Sequence, residues 1–173
     1  MNNCYWVTGL SATGKTTLSS LLVTHLRSLG KTVIYLDGDD LRQVLADQTY
    51  TRKERIALAM RYARLCKLLT EQGIDVVIAV IGMFKEVYKW NRENIVNYIE
   101  IFIDTPLSEL KKRDPKKLYR DVELGVIKNV AGIDMEIDIP SNPDIHLKWS
   151  DKSTIDSMFN ELVGSIQNRV DDV

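Results

Sequence analysis

The sequence predicts an α/β fold, a parallel β-sheet with helices on both faces, and three observations support this prediction. Short runs rich in Val and Ile alternate with segments whose apolar residues recur at helical spacing. Glycine and polar residues follow most of those runs. Hydrophobic residues make up 45% of the 173 positions and charged residues 27%, a composition typical of a globular domain. No linker, repeat or low-complexity segment interrupts the chain, so we expect one domain over residues 1–173.

The first half of the chain predicts three strands and two long helices. A strand over residues 4–8 is followed by a helix over about 14–29, which Gly30 ends. A second strand, 32–36, runs into an acidic turn where Asp40 is predicted to cap a short helix. Thr51 and Glu54 form a capping-box pair that begins a helix reaching about residue 72, and a third strand covers 75–81.

The second half predicts two more strands and two helices. Residues 99–104 form a strand, and Thr105 and Pro106 then begin a helix with proline at its first position, which Pro115 ends or kinks. Residues 145–148 and 155–170 are a fifth strand and a closing helix. Ligands of such sheets bind beyond the carboxyl ends of the strands, so we look for chemistry there.

Charge and composition exclude several functional classes. The net charge of −1 argues against a protein that coats nucleic acid or an anionic membrane, since both need a basic excess. The longest apolar run, residues 76–84, is too short to span a bilayer, and no export signal is visible at the N-terminus. Cys4 and Cys66 lack metal-ligand spacing and are interpreted as buried thiols, so we expect a cytoplasmic protein.

A phosphate-binding loop lies between the first strand and the first helix. Residues 9–17 match GxxxxGK[ST], the P-loop of nucleoside triphosphate hydrolases and kinases, in the strand–loop–helix context that the motif requires. Lys15 is predicted to reach the β- and γ-phosphates of ATP, and the Thr16 hydroxyl to ligate Mg²⁺. The predicted ATP-binding residues of the loop are Gly9, Ser11, Ala12, Thr13, Gly14, Lys15, Thr16 and Thr17. The motif alone does not distinguish a kinase from a GTPase or a motor protein.

An acidic turn follows the second strand. Asp37 and Asp39 are two apart, so in an extended chain both would face one site. Carboxylates there can hold Mg²⁺ and orient or deprotonate an acceptor hydroxyl. The catalytic candidates are therefore Asp37, Asp39 and Lys15. Thr16 and Asp39 are the candidate ligands of Mg²⁺. For Asp37 alone, a turn-forming role is equally consistent, and which aspartate takes the proton stays open.

Four elements together resemble the adenylylsulfate kinases. They are Gly9-Leu10-Ser11 entering the P-loop, Leu36-Asp37-Gly38-Asp39 with Arg42, Arg113-Asp114-Pro115-Lys116 with Leu118-Tyr119, and Gly132-Ile133-Asp134. Their order and spacing agree with that family from about residue 3 to residue 147. The resemblance implies transfer of the ATP γ-phosphate to the ribose 3′-hydroxyl of adenosine 5′-phosphosulfate, with Mg²⁺, by a homodimer. The expected binding partner is then a small nucleotide that accepts the phosphate, and we expect the protein to bind neither nucleic acid nor membrane.

The resemblance also implies roles for residues outside the P-loop. Arg113 is similar to a lid arginine near the ATP adenine, in a lid over about residues 111–132 with Gly125 and Gly132 as hinges. The implied acceptor side consists of Arg42, Tyr50, Arg55, Ile81, Phe84, Lys116 and Leu118. Lys111 and Lys112 are interpreted as solvated surface charges, Trp90 as core, and His25 and His146 as structural.

Several positions depart from the family pattern, mostly on the acceptor side. Leu58 stands where a family asparagine is expected, and Gly82, Met83 and Lys117 replace other family residues. A related branch, the cytidine diphosphoramidate kinases of capsule synthesis, phosphorylates a similar 3′-hydroxyl and is the alternative. A nucleotide-dependent switch is disfavoured because no guanine-reading Asn-Lys-x-Asp occurs, and an inactive relative because the P-loop and acidic pair are intact.

Overall fold

The computed structural model describes residues 2–48, 51–115 and 117–171. Within them lies a five-stranded, wholly parallel sheet in the order β2-β3-β1-β4-β5. This architecture confirms the predicted α/β fold. The strands are β1 (Cys4–Thr8), β2 (Val33–Asp37), β3 (Asp75–Ala79), β4 (Tyr98–Asp104) and β5 (Ile145–Lys148).

The helices of the described residues connect these strands. They are α1 (Lys15–Ser28), α2 (Gly38–Val44), α3 (Arg52–Glu71), α4 (Lys85–Asn94), α5 (Leu107–Arg113), α6 (Leu118–Glu123) and α7 (Ile155–Asp171). Helices α1 and α7 pack on one face of the sheet, and α3 and α4 on the other. No helix in these described segments is long and apolar enough to cross a membrane.

The strongest local signals are confirmed. Thr51 and Glu54 form the predicted capping box, with the Thr51 N–H donating to a Glu54 carboxylate oxygen at 2.9 Å. Gly30 follows the last residues of α1 with φ of 78°, and Gly73 follows α3 with φ of 87°. Such left-handed conformations cost glycine nothing, which explains why both helices end there.

Other local predictions are wrong in detail. Asp37, not Asp40, caps α2: its carboxylate accepts the Asp39 N–H at 2.9 Å, and Asp40 lies inside the helix. Both aspartates had a polar residue three positions later, so the pattern fitted two registers. The third strand ends at Ala79 instead of residue 81. Pro106 is the N-cap of α5, one position before the helical residue predicted.

Two helices escaped prediction because their sequences carry weak start signals. Helix α4 begins after Phe84, and no side chain caps it. Helix α6 begins after Lys117, which has the left-handed φ of 55° and likewise gives no side-chain cap. In both cases tertiary packing compensates for the missing local signal, since α4 contributes the buried Val87 and α6 the buried Tyr119.

The alternation of β1 divides the core between the two faces of the sheet. Tyr5 and Val7 pack toward α1 and α7, whereas Cys4 and Trp6 pack toward α3 and α4. The second core also holds Cys66, and contact with it, together with burial, raises the pKa of the Cys4 thiol well above its ordinary value. Both cysteines are therefore buried thiols, as expected.

The remaining structural predictions also hold. Trp90 packs, partly buried, against the core beneath α3 and α4. His25 meets the ring of Phe159 edge-on, with ring centroids 6.1 Å apart. His146 lies 3.0 Å from an Asp104 carboxylate oxygen and stacks on Phe102. Neither histidine lines the cleft described next.

Candidate active site

A cleft of about 360 Å³ opens at the carboxyl edge of the sheet, where β1, β2 and β3 end. Six segments meet in it: the P-loop, the start of α2, the first half of α3, the end of β3 with the loop after it, the turn at Pro115 and the loop at Ala131. The wall is formed by Ser11, Ala12, Gly14, Lys15, Thr16, Asp37, Gly38, Asp39, Arg42, Arg55, Leu58, Ala59, Tyr62, Ala79, Val80, Ile81, Gly82, Phe84, Pro115 and Ala131.

The P-loop has the backbone that phosphate binding requires. A Cβ atom on Gly9 would lie 2.7 Å from the Ile103 carbonyl oxygen, so only glycine lets the loop approach β4 this closely. The Lys15 ammonium donates to the Leu10 carbonyl at 2.6 Å, which folds the side chain over its own loop. An ammonium has three protons, so Lys15 can keep this bond and still donate to a phosphate. Of the predicted loop residues, Gly9, Thr13 and Thr17 do not line the cleft, and the Thr13 hydroxyl donates to the Leu10 carbonyl at 3.0 Å within the loop.

The Asp37 carboxylate joins the two halves of the cleft. One of its oxygens accepts from the Thr16 hydroxyl at 2.9 Å and from the Tyr35 hydroxyl at 3.0 Å. The other oxygen accepts the Asp39 N–H at 2.9 Å and so caps α2. Asp37 and Asp39 do line one cleft as predicted, but Asp39 reaches it from the first turn of a helix and not from an extended chain.

Tyr35 is a site residue that sequence reasoning missed. It lies on β2 two positions before Asp37, so the strand period places both side chains on one face. Burial raises the pKa of the Tyr35 hydroxyl well above its ordinary value, and the Asp37 carboxylate adds to this. Tyr35 therefore stays protonated and donates to Asp37 throughout the physiological range. The spacing of two residues between Tyr35 and Asp37 on a predicted strand could have identified Tyr35 from the sequence.

The acceptor side is lined by two arginines and an aromatic ring. Arg42 pairs with Asp47 at 3.3 Å, and an Arg55 guanidinium nitrogen donates to the Asn129 carbonyl at 3.1 Å. The Arg52 guanidinium lies 5.4 Å from the centre of the buried Phe84 ring. Ile81 lines the same wall, as do Leu58 and Gly82, two of the positions that depart from the family pattern.

Two residues of the predicted lid, residues 111–132, line the cleft, namely Pro115 and Ala131. Arg113 and Leu118 are not among the residues that line it. Arg113 instead reaches the backbone of the P-loop, with Nη1 3.5 Å from the Ala12 carbonyl oxygen. Tyr119, which sequence reasoning did not assign, donates its hydroxyl to the Ser11 carbonyl at 2.9 Å and anchors α6 to the loop. Tyr50 and Lys116 lie outside the described residues.

The oxygens at the floor of the cleft suit Mg²⁺. The Thr16 hydroxyl and the Asp37 carboxylate are 2.9 Å apart, and Asp39 lies in the first turn of the helix that Asp37 caps. Among the described residues, no group of three or more His, Cys, Asp or Glu side chains could hold a metal alone. Mg²⁺ characteristically takes one or two protein oxygens and completes its shell with water and substrate phosphates, so the residues present fit it.

Comparisons with known proteins agree with this geometry. The profile of the adenylylsulphate kinase family matches residues 1–148. A cytidine diphosphoramidate kinase of Campylobacter jejuni is 43% identical over 141 residues, 80% of this chain and 83% of the relative. An adenylyl-sulfate kinase of Pseudomonas aeruginosa is 42% identical over 143 residues, 81% of this chain and 73% of the relative.

The fold has a solved counterpart as well. The structure of a Mycobacterium tuberculosis APS kinase in complex with AMPPNP and APS superimposes with a TM-score of 0.87 at 31% identity. The match covers 96% of this chain and 98% of that one.

Proposed function

The chain belongs to the adenylylsulphate kinase family, and we propose that it transfers the γ-phosphate of ATP to the ribose 3′-hydroxyl of a nucleotide modified at its 5′ phosphate. It is an ATP-dependent phosphotransferase with a hydroxyl group as acceptor. Adenosine 5′-phosphosulfate is the first acceptor to consider, because one close relative is named for that activity.

One observation carries this proposal: a single cleft contains both the P-loop and the acidic pair. Lys15 and Thr16 of the P-loop line it together with Asp37 and Asp39, and Thr16 donates directly to Asp37. Phosphoryl transfer requires the donor phosphate and the acceptor oxygen in line, which needs both groups in one enclosed space. A nucleotide switch would have no use for the second half of this cleft.

On the donor side, the chain binds and stabilises negative charge. The N–H groups of the P-loop face the phosphates at the start of α1, where the helix dipole favours anions. Lys15 donates to the terminal phosphates as charge shifts toward the leaving oxygen. Mg²⁺, which we propose is held by Thr16 and Asp39 with Asp37 beside them, neutralises phosphate charge when bound.

On the acceptor side, the chain orients a hydroxyl and a nucleotide. Asp39, or Asp37, accepts a hydrogen bond from the attacking hydroxyl and so points its oxygen at the γ-phosphorus. Arg42 and Arg55 offer two cations at one end of the cleft to the acceptor phosphate. Phe84 presents a buried aromatic ring on which the acceptor base can stack.

A second acceptor is favoured by a specific observation, namely the apolar wall of the cleft. Leu58 and Gly82 line it, both at positions where the family pattern differs. Leucine cannot form a hydrogen bond with the acceptor. The absence of one such bond, of about 1 kcal/mol, changes the relative affinities of the cleft for different acceptor bases. The similar identity to a cytidine diphosphoramidate kinase supports cytidine diphosphoramidate as the alternative acceptor.

The test is a parallel assay of purified protein with Mg²⁺ and ATP against both acceptors, following ADP release. Preference for adenosine 5′-phosphosulfate supports the first proposal, and preference for cytidine diphosphoramidate the alternative. Lys15→Ala should abolish release with either acceptor, because it removes the cation that stabilises the leaving phosphate. ADP release that is independent of any acceptor contradicts the kinase proposal.

We also propose a single cytoplasmic kinase domain over residues 1–173 that acts as a homodimer. The family resemblance supports the dimer, and the net charge of −1 is consistent with a small-molecule partner. Light scattering coupled to size exclusion measures the molar mass, and a value near the 19.8 kDa of one chain contradicts the dimer.

A further inference from the structure

The P-loop has a second flank, on the side of β4 and β5, to which the proposed reaction assigns no role. The cleft lies toward β3 and β2, whereas β4 and β5 lie on the other side of β1. On that flank an ideal Cβ at Gly14 would lie 3.5 Å from Ile155, at the start of α7. Arg113, at the end of α5, reaches Ala12 there. If the terminal phosphate and the acceptor share the cleft, this flank is left for the remainder of the donor nucleotide.

Two flat side chains lie together on this flank. The Arg113 guanidinium carbon is 5.6 Å from the centre of the Trp149 ring, within the range of a cation–π contact. Trp149 follows the last strand. Its backbone N–H donates to the Asp104 carbonyl at 2.8 Å, which ties the residue to the end of β4. Its ring is half-buried, whereas Arg113 is exposed.

Arg113 is held from three directions. Its Nε donates to Glu109 at 3.0 Å, Nη1 approaches the Ala12 carbonyl oxygen at 3.5 Å, and its guanidinium carbon lies over the Trp149 ring. A turn stiffens the support, because the Ser150 N–H donates to Ser153 Oγ at 2.9 Å. An exposed arginine normally samples many rotamers, and these contacts select one.

We propose that Trp149 is a positioning residue for the donor nucleotide: it holds the Arg113 guanidinium as the platform on which the base of ATP stacks. Planar guanidinium groups and nucleobases stack face to face, and the gain is larger when the platform is ordered beforehand. This inference rests on the proposed function only in taking ATP as the donor. It concerns the base, whereas the P-loop binds the phosphates.

The test is calorimetric binding of ATP and of tripolyphosphate, both with Mg²⁺, to the full chain. Trp149→Leu should weaken ATP binding about 3- to 10-fold, the range expected for loss of a partly exposed cation–π support. Tripolyphosphate has no base, so its affinity should stay within about twofold if the P-loop is intact. Trp149→Phe keeps an aromatic face and should restore most of the ATP affinity.

A double-mutant comparison identifies the path of the effect. Arg113→Met should weaken ATP binding, and Trp149→Leu should then cost nothing further, because its target is gone. Lys112→Met is the matched control: it removes a neighbouring cation that also pairs with Glu109, and ATP affinity should not change.

Three results would overturn the inference. They are unchanged ATP affinity in Trp149→Leu, an equal loss of tripolyphosphate binding, or a full further loss in the Arg113→Met background, which would mean that Trp149 contacts the base itself. Failure of the proposed function looks different: the wild-type protein would bind ATP normally yet transfer phosphate to neither acceptor.

Discussion

At the scale of single residues, Asp37 receives hydrogen bonds from both halves of the cleft. Thr16 and Tyr35 donate to one oxygen, and the Asp39 N–H donates to the other. An aspartate with both oxygens engaged is well placed to orient its neighbours. Asp39 lies on the exposed first turn of α2 and lines the same cleft, so we propose Asp39 as the group that meets the acceptor hydroxyl.

Asp39→Asn is expected to lower kcat by about 100-fold or more, a far larger effect than on ATP affinity, because the P-loop still binds the phosphates. Asparagine preserves size but cannot accept the acceptor proton. Initial rates and ATP binding are measured on the same protein. Asp40→Asn is the matched control, because Asp40 is exposed one residue later and does not line the cleft, so its rate should stay near wild type. If Asp39→Asn weakened ATP binding and left kcat intact, the catalytic role would move to Asp37.

At the scale of elements, contiguous signals were readable from sequence and distant contacts were not. The P-loop was predictable because its glycines, lysine and threonine follow one another between a strand and a helix. The position of Asp37 at the cap of α2 was not, because Asp40 fitted the same local pattern. The contact between Arg113 and Trp149 joins residues far apart in sequence, and only the folded chain brings the end of α5 to the residue after β5.

Helix α3 links a local signal to the site, because its capping box precedes Arg55. Thr51→Ala should lower the free energy of unfolding by about 1 kcal/mol, the usual loss when an N-cap hydroxyl is removed. Fraying of the first turn should also raise KM for the acceptor, since Arg55 lines the cleft from that turn. Urea unfolding and acceptor titration measure the two effects.

The control for this helix is Thr24→Ala on α1. Thr24 is an exposed mid-helix threonine whose hydroxyl bonds the Ser20 carbonyl at 3.0 Å. Alanine is the better helix former there, so stability should be unchanged or slightly higher. An equal loss in both variants would show that Thr51 contributes no more than any other threonine.

At the scale of the whole molecule, one charge network ties two helices, α4 and α7, to the edge of the sheet. Arg92 of α4 lies 3.4 Å from Glu100 of β4 and 3.1 Å from Asp144, while Arg169 of α7 lies 2.8 Å from Asp144. Only 3% of the Glu100 side chain is exposed, whereas 41% of that of Arg92 is. Glu100 is therefore the buried member of the network, and Tyr98 donates to it at 3.2 Å.

The environment of Glu100 should make stability depend on pH. Burial raises the pKa of its carboxyl, and the lowering by Arg92 and by the Tyr98 hydroxyl does not cancel this. A pKa higher in the folded than in the unfolded state means that the folded protein binds more protons between the two values. The contribution of Glu100 to the free energy of unfolding is therefore greatest below the pKa of glutamate in the unfolded chain, about 4.3. It is lost as pH rises through the pKa in the folded protein, by at most about 1.4 kcal/mol per pH unit.

Urea unfolding of wild type and Glu100→Gln from pH 4 to 8 measures this dependence. Glutamine cannot ionise, so the stability of wild type minus that of the variant should fall as pH rises through the folded pKa. Arg92→Met removes the opposing cation, which should raise the pKa of Glu100 further and carry the loss to higher pH. Parallel curves for wild type and Glu100→Gln across this range would mean that the buried carboxyl does not govern pH stability, and the network would then act through Asp144, which Arg92 and Arg169 both contact.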